Sequence, residues 1–232
     1  MIYNIHGGHN FKVPGASGCF SETVEDRKVK NLVIEKLRKL GHTVHDCTDE
    51  DGKTVGENLR NIVQKCNKNV VDLDISIHFN ASSGQGHGVE VWCYNEKTKE
   101  TASKICSKIS ELGFTNRGVK YSKGLYVLKN TKSKSILIEC CFCDSQIDYK
   151  LYNSEKMSEK IVEGLTGQTV KNNNNNNNNG GFKVKVSVSG GIKGYIQKGV
   201  YTIVQTKNAD GYEWGKLKSG VGWIALKYTT RL

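Results

Sequence analysis

In Val70-Val71-Asp72-Leu73-Asp74-Ile75-Ser76-Ile77-His78, apolar Leu73, Ile75 and Ile77 alternate with polar Asp72, Asp74 and Ser76. Period-two alternation is the signature of a β-strand, and His78 falls at its carboxyl end. A helical pattern over residues 55–66 leads into this strand, and similar pairings recur on both sides. Residues 2–5 form an earlier strand. Val29, Leu32, Val33, Leu37 and Leu40 then repeat at helical spacing, with Thr23 and Asp26 placed as a capping box and Gly41 as the stop. Downstream, the pattern predicts a strand over 89–94, a helix over 101–112, a short strand over 125–128, a strand over 135–138 ending in Glu139, and a closing helix over 157–165. Strands that alternate with helices imply an α/β fold, a mostly parallel twisted sheet flanked by helices.

The pattern breaks at asparagines 172–179, which run unbroken into Gly180 and Gly181. Such a segment has nothing apolar to bury and reads as a flexible tether over residues 168–181. It separates a domain of residues 1–167 from one of residues 182–232. The second domain has short, Gly-punctuated strands at 182–188, 199–206, 213–218 and 222–226, the spacing of a small β-barrel or sandwich. At about 50 residues it is marginal alone, so its aromatic-rich strands are expected to supply most of its core.

The formal charge of +11 is uneven. Residues 182–232 hold nine Lys and Arg against two Asp and Glu, a balance of +7 that leaves +4 for the rest. The tail is therefore where an anionic partner would bind. No apolar stretch approaches the roughly 18 residues of a spanning helix, so no membrane insertion is expected. Residues 1–8 lack the basic start and apolar run of a secretory signal, which leads us to expect a start in the cytosol. All eight cysteines lie between Cys19 and Cys143, in a segment too large and regular to need a disulfide framework. Reduced thiols are expected, Cys140, Cys141 and Cys143 among them as small buried hydrophobes.

Four residues carry chemistry. His9 follows a glycine pair after the first strand, Glu22 opens the first helical pattern, and His78 and Glu139 close branched apolar runs. Sites in open α/β sheets form at the carboxyl ends of strands. Two imidazoles and one carboxylate can fill three corners of a zinc tetrahedron and leave the fourth open to water, as in a catalytic site. The remaining carboxylate is then free to act as base, and Glu139, within Ile136-Leu137-Ile138-Glu139-Cys140-Cys141-Phe142, is the candidate. Each residue also has a plain structural reading: a His at a loop, a Glu favoured at a helix N-terminus, a partly buried carboxylate in need of partners. His6 rivals His9, since both lie in Ile5-His6-Gly7-Gly8-His9-Asn10. His42 and His45 flank a predicted turn and are read as surface residues.

The order of motifs resembles a known family. Gly8-His9 is followed by Gly15-Ala16, then Glu22 before a helix that ends at Leu40-Gly41-His42. Ser76-Ile77-His78-Phe79-Asn80 precedes Gly86-His87-Gly88-Val89-Glu90-Val91, then Asn116-Arg117-Gly118-Val119 and Leu137-Ile138-Glu139. Residues 1 to about 167 resemble the zinc-dependent N-acetylmuramoyl-L-alanine amidases of the amidase-3 family, found in bacteriophage endolysins and bacterial autolysins. The family's first loop often reads Asp-x-Gly-His-Gly-Gly, whereas this chain has Asn4-Ile5-His6-Gly7-Gly8-His9; counting back from Gly15-Ala16 selects His9. The resemblance implies one zinc ion on His9, Glu22 and His78, Glu139 as the catalytic carboxylate, and Asn80 and Arg117 along the substrate groove. The closing segment, Tyr212-Glu213-Trp214-Gly215-Lys216-Leu217-Lys218-Ser219-Gly220-Val221-Gly222-Trp223-Ile224, resembles bacterial SH3-type wall-binding modules. Tyr195, Tyr201, Tyr212 and Tyr228 divide there between core and wall contact.

The resemblance thus implies an endolysin that cleaves the amide between N-acetylmuramic acid and L-alanine in bacterial peptidoglycan. It would reside in the host cytosol until lysis and then act at the cell wall, its basic domain holding an anionic wall polymer. Two alternatives stand beside it: a zinc peptidase acting within the peptidoglycan cross-link, and a non-catalytic protein binding an anionic polymer or nucleic acid through the tail. No nucleic-acid motif is visible, and no nucleic acid is expected as partner.

Overall fold

The computed structural model describes residues 1–169, 182–186, 199–209, 212–218 and 222–231. Two compact units divide the chain, Met1–Lys171 and Asn172–Leu232. The asparagine run lies outside the described residues.

In the first unit six strands form one sheet in the order β2-β1-β3-β6-β4-β5. They are β1 (Ile2–Gly7), β2 (Thr43–Asp46), β3 (Leu73–Asn80), β4 (Val89–Cys93), β5 (Asn116–Tyr121) and β6 (Ser135–Phe142). Every neighbouring pair is parallel except β4 with β6. Six helices accompany them: α1 (Glu22–Lys39), α2 (Val55–Cys66), α3 (Lys99–Ser110), α4 (Tyr126–Asn130), α5 (Gln146–Leu151) and α6 (Ser154–Thr166). The larger core joins α1, α3 and α6 to one face of the sheet, through Val29, Val33, Ile105, Ile109, Ile161 and the branched residues of β1, β3 and β6. A smaller core holds Ile62, Val63 and Cys66 of α2, Val127 and Leu128 of α4, and Leu137 of β6. Ile136 and Ile138 belong to the first core and Leu137 to the second, so the pleat of β6 feeds both faces.

Because both faces are covered, the alternation that reveals β3 does not divide core from solvent. Asp74 and Ser76 are as buried as Ile75 and Ile77, and Asp74 accepts a 2.6 Å bond from Asn4 Nδ2. A strand inside a parallel sheet meets this fate, and its polar side chains must then find partners within the protein.

Several sequence expectations need correction. Residues 125–128 do not form a strand; they enter α4, whose Val127 and Leu128 pack on α2 in the smaller core. A short apolar run cannot distinguish strand from helix by period. The capping box on Thr23 and Asp26 is absent. Ser21 is the N-cap, without a side-chain bond, while Thr23 Oγ1 accepts from Gly15 N at 2.9 Å and Asp26 pairs with Arg27. Strands β3 and β6 run on past Ile77 and Ile138, which puts His78 and Glu139 inside strands rather than beyond them. Strands β2 and β5 carry no clear apolar alternation; His45 lies in β2 and is half-buried. Helix α2 has the predicted bounds, and Gly41 has the left-handed φ of +81° that suits a helix stop.

All eight cysteines are free, and all but Cys19 are buried. Burial raises the thiols of Cys140 and Cys141 well above the usual range and pushes Cys143 up to about 12. No helix among the described residues is long and apolar enough to cross a membrane.

In the second unit β7 (Phe182–Val186), β8 (Gly199–Ala209), β9 (Tyr212–Leu217), β10 (Trp223–Ala225) and β11 (Thr229–Arg231) make an antiparallel sheet in the order β10-β9-β8-β7-β11. Among the described residues Ile203 and Leu217 are buried in its core, with Tyr201, Ile224 and Leu226 against them. Gly215 permits that packing, because a Cβ there would lie 2.7 Å from Leu226 Cδ2 and 2.9 Å from Ile203 Cδ1.

Candidate functional site

Three of the predicted residues converge at the carboxyl edge of the sheet. His9 lies in the loop after β1, Glu22 is the first residue of α1, and His78 sits near the end of β3. One donor atom from each falls within 4.8 Å of the others. The Glu22 carboxylate stands between the imidazoles, 3.0 Å from His78 Nδ1 and 3.5 Å from His9 Nε2. Its oxygens also accept from Ala16 N at 2.7 Å and Phe79 N at 3.1 Å, which fixes its rotamer. The His9 and His78 rings meet edge to face, 5.3 Å apart.

Two glycines make this closeness feasible. A Cβ on Gly8 would fall 1.8 Å from His78 Cε1, and one on Gly15 would fall 2.2 Å from Glu22 Oε2 and 2.6 Å from His9 Cδ2. Arg27 steadies the His9 loop from beneath: Nη2 donates to the His9 carbonyl, Nη1 to Asp26 Oδ1 at 2.7 Å, and Nε to Glu50 Oε1 at 2.9 Å. Asp49 secures the next residue, accepting from Asn10 Nδ2 at 3.2 Å as well as from Asn58, Asn61 and Gly52. Nothing in the sequence marked Arg27 or Asp49, because their roles arise only when separate loops meet.

Charge is concentrated here. Burial lowers the basicity of His9, and His78 lowers it further. Burial opposes charge on Glu22, but its bond to His78 and the positive field of both histidines hold its carboxyl below the usual range. Burial likewise opposes protonation of His78, yet Glu22 and Glu139 together raise it to about 9. Burial pushes Glu139 up to about 7, against the pull of His78 and with Glu22 and Glu90 adding repulsion.

Glu139 stands directly across from His78 in the parallel pairing of β3 and β6, and across from Glu90 in the antiparallel pairing of β6 and β4. Residues opposite one another share a face of the sheet, so His78, Glu139 and Glu90 form a row. Glu139 Oε2 is buried without a hydrogen-bond partner, an unusual state for a carboxylate oxygen and costly unless something occupies the space before it. Two imidazole nitrogens and a carboxylate, with a second unsatisfied carboxylate alongside, suit a borderline-soft divalent cation that keeps one position open. The residues present fit such an ion.

Glu90 escaped the sequence reading, although its setting in Val89-Glu90-Val91-Trp92 is as apolar as that of Glu139. It is buried and accepts from Asn80 Nδ2 at 3.1 Å, Trp92 Nε1 at 3.2 Å and Arg117 Nε at 2.8 Å. The two groove candidates, Asn80 and Arg117, are thus tied to one carboxylate, the last of the row. His6, the rival of His9, points elsewhere: its Nδ1 lies 3.2 Å from the Gly7 carbonyl and 3.4 Å from Ser76 Oγ, and burial pushes it down to about 3.

In the second unit Tyr201 and Tyr212 are partly buried in β8 and β9, and Tyr212 meets Trp214 edge to face at 6.4 Å. Tyr195 and the side chain of Tyr228 lie outside the described residues.

Known proteins share the first unit. A protein of Clostridium perfringens described as uncharacterised is 34% identical over 182 residues, covering 75% of this chain and 54% of its own length. This chain spans about half the length of the curated relatives it matches. Among solved structures, the catalytic domain of the CD27L endolysin targeting Clostridia difficile is 34% identical, with a TM-score of 0.69 over 73% of this chain and 99% of that one. The amidase AmiC2 of Nostoc punctiforme, at 23% identity, shares the fold with a TM-score of 0.64 over 71% of this chain and 94% of its own. The family model described as N-acetylmuramoyl-L-alanine amidase matches residues 4–168, and the chain belongs to that family, Amidase_3.

Proposed function

We propose that this chain is a peptidoglycan hydrolase of endolysin type that cleaves the amide between the lactyl group of N-acetylmuramic acid and L-alanine. Residues 1–167 form the catalytic domain. His9, Glu22 and His78 hold one zinc ion, and Glu139 is the carboxylate that moves protons. Family membership supports the reaction class, and the observation that carries the site is the unsatisfied, buried Glu139 Oε2 beside three converging donors.

When bound, zinc supplies Lewis acidity, which lowers the pKa of water at the site and polarises the amide carbonyl. The protein's own residues do the rest. Glu22, locked by the Ala16 and Phe79 amides, keeps both imidazoles aimed inward. Glu139 takes the proton of the attacking water at Oε2 and passes it to the leaving nitrogen of L-alanine. Burial raises the proton affinity of Glu139 above that of a free carboxylate, which suits a group that serves first as base and then as acid.

The basic residues 182–232 act as an SH3-like module that keeps the enzyme on the wall, with Tyr195, Tyr201, Tyr212 and Tyr228 as contact candidates and an anionic wall polymer as a fitting ligand for the +7 charge. Residues 168–181 tether it. Holding a catalytic domain near an insoluble substrate raises its effective concentration there. The protein acts at the bacterial cell wall.

Metal analysis of the purified protein, joined to mass spectrometry of digested peptidoglycan, tests this reading. We expect one zinc per chain and new amino termini on L-alanine alone. New termini on other stem-peptide residues would replace the amidase with a cross-link peptidase.

A further inference from the structure

The acidic row at the site ends in a cation. From His78 through Glu139 to Glu90, each residue faces the next across a strand boundary, and Arg117 on β5 donates through Nε to Glu90 Oε2 at 2.8 Å. Glu90 is buried, whereas 37% of the Arg117 side chain is exposed. The guanidinium also lies over the Phe142 ring, 4.9 Å from its centroid. A carboxylate behind and an aromatic ring beneath fix the plane of the group. Only Nε is spent on Glu90, so the two Nη groups keep the fork that matches a carboxylate.

We infer that Arg117 is a binding residue for a carboxylate on the stem peptide of the substrate, and that Glu90 is the positioning residue that presents it. The inference rests on the amidase reading above and adds the chemical class recognised beside the scissile bond. Two strand boundaries separate His78 from Glu90, about 10 Å across the sheet. An extended peptide advances about 3.4 Å per residue, so the recognised group belongs to roughly the second or third residue beyond the cleaved amide. Without Arg117 the Glu90–Glu139 pair would repel an acidic peptide, and Asn80, also bonded to Glu90, would lose the partner that shares its anchor. Nothing in this arrangement requires Glu90 to touch substrate.

The test uses the full, zinc-loaded chain and soluble muramoyl-peptide pairs that differ only in a free carboxylate or a carboxamide on the second or on the third stem residue. In one of these pairs the unmodified protein should prefer the carboxylate by about tenfold in kcat/KM, the scale of one charge-assisted contact. Arg117→Gln should bring that ratio close to one, and Glu90→Gln should reduce it. The double variant should show no loss beyond Arg117→Gln, because the two act as one unit. Calorimetric binding of that pair to Glu139→Gln protein gives the same ratio without turnover, and circular dichroism checks that each variant is folded. Cleavage of both members of each pair with equal efficiency, or a preference that survives Arg117→Gln, overturns the inference and leaves the amidase intact. Failure to cleave any of the peptides removes the amidase reading, and this inference with it.

Discussion

At the scale of single residues, the site depends on small side chains as much as on reactive ones. Gly15 has no Cβ, and that absence lets Glu22 and His9 come together. Gly15→Ala should therefore weaken zinc binding by at least about tenfold, comparable to losing a group that supports a ligand, as read by competition with a chromogenic chelator. Glu139→Gln should retain zinc yet lower kcat by roughly 10²–10⁴, the usual contribution of a proton-transferring group; His78→Ala should lose zinc as well. Full activity in the first variant would remove Glu139 from the mechanism. His9, Glu22, His78 and Glu139 were legible in the sequence because each ends or opens a recognisable pattern. Glu90 sits in an equally apolar setting but within a strand rather than at the end of a pattern, whereas Arg27 and Asp49 give no local sign, since their bonds join segments distant in sequence.

At the scale of elements, long periodic segments were readable and short ones were not. Helix α2 and strands β1, β3, β4 and β6 follow from their patterns, but β2 has only four residues, β5 has no fully buried position to set an apolar alternation, and α4 resembles a strand over its apolar residues. Strand β1 holds a consequence for acid stability. His6 is buried and pushed down to about 3, while in the unfolded chain it titrates near 6.5. The folded state therefore refuses a proton that the unfolded state accepts. Stability from this group is complete above about pH 6.5 and falls as the pH drops toward 3, at up to about 1.4 kcal/mol per unit. Denaturant unfolding at pH 7, 6 and 5 should show a shallower decline for His6→Gln than for the parent. Parallel slopes would mean that His6 is not protonated on unfolding.

At the scale of the whole molecule, two units divide the labour proposed here, and the divide was the plainest feature of the sequence because an asparagine run has no core to join. Removing residues 180–232 should weaken sedimentation with purified walls while hydrolysis of soluble muramoyl-peptides stays within about twofold, a margin consistent with effective concentration as the module's contribution. Equal loss of both would contradict a separable module. The buried thiols have a practical consequence as well. Seven of the eight cysteines are sealed inside, so a native sample should stay silent toward Ellman's reagent at those positions. Once a molecule opens, Cys140, Cys141 and Cys143 become accessible together, and oxidation can trap it in covalent dimers on a non-reducing gel. A preparation stored without reductant would thus lose potency at the pace of its own unfolding, and the rate of thiol release becomes a direct clock for shelf life.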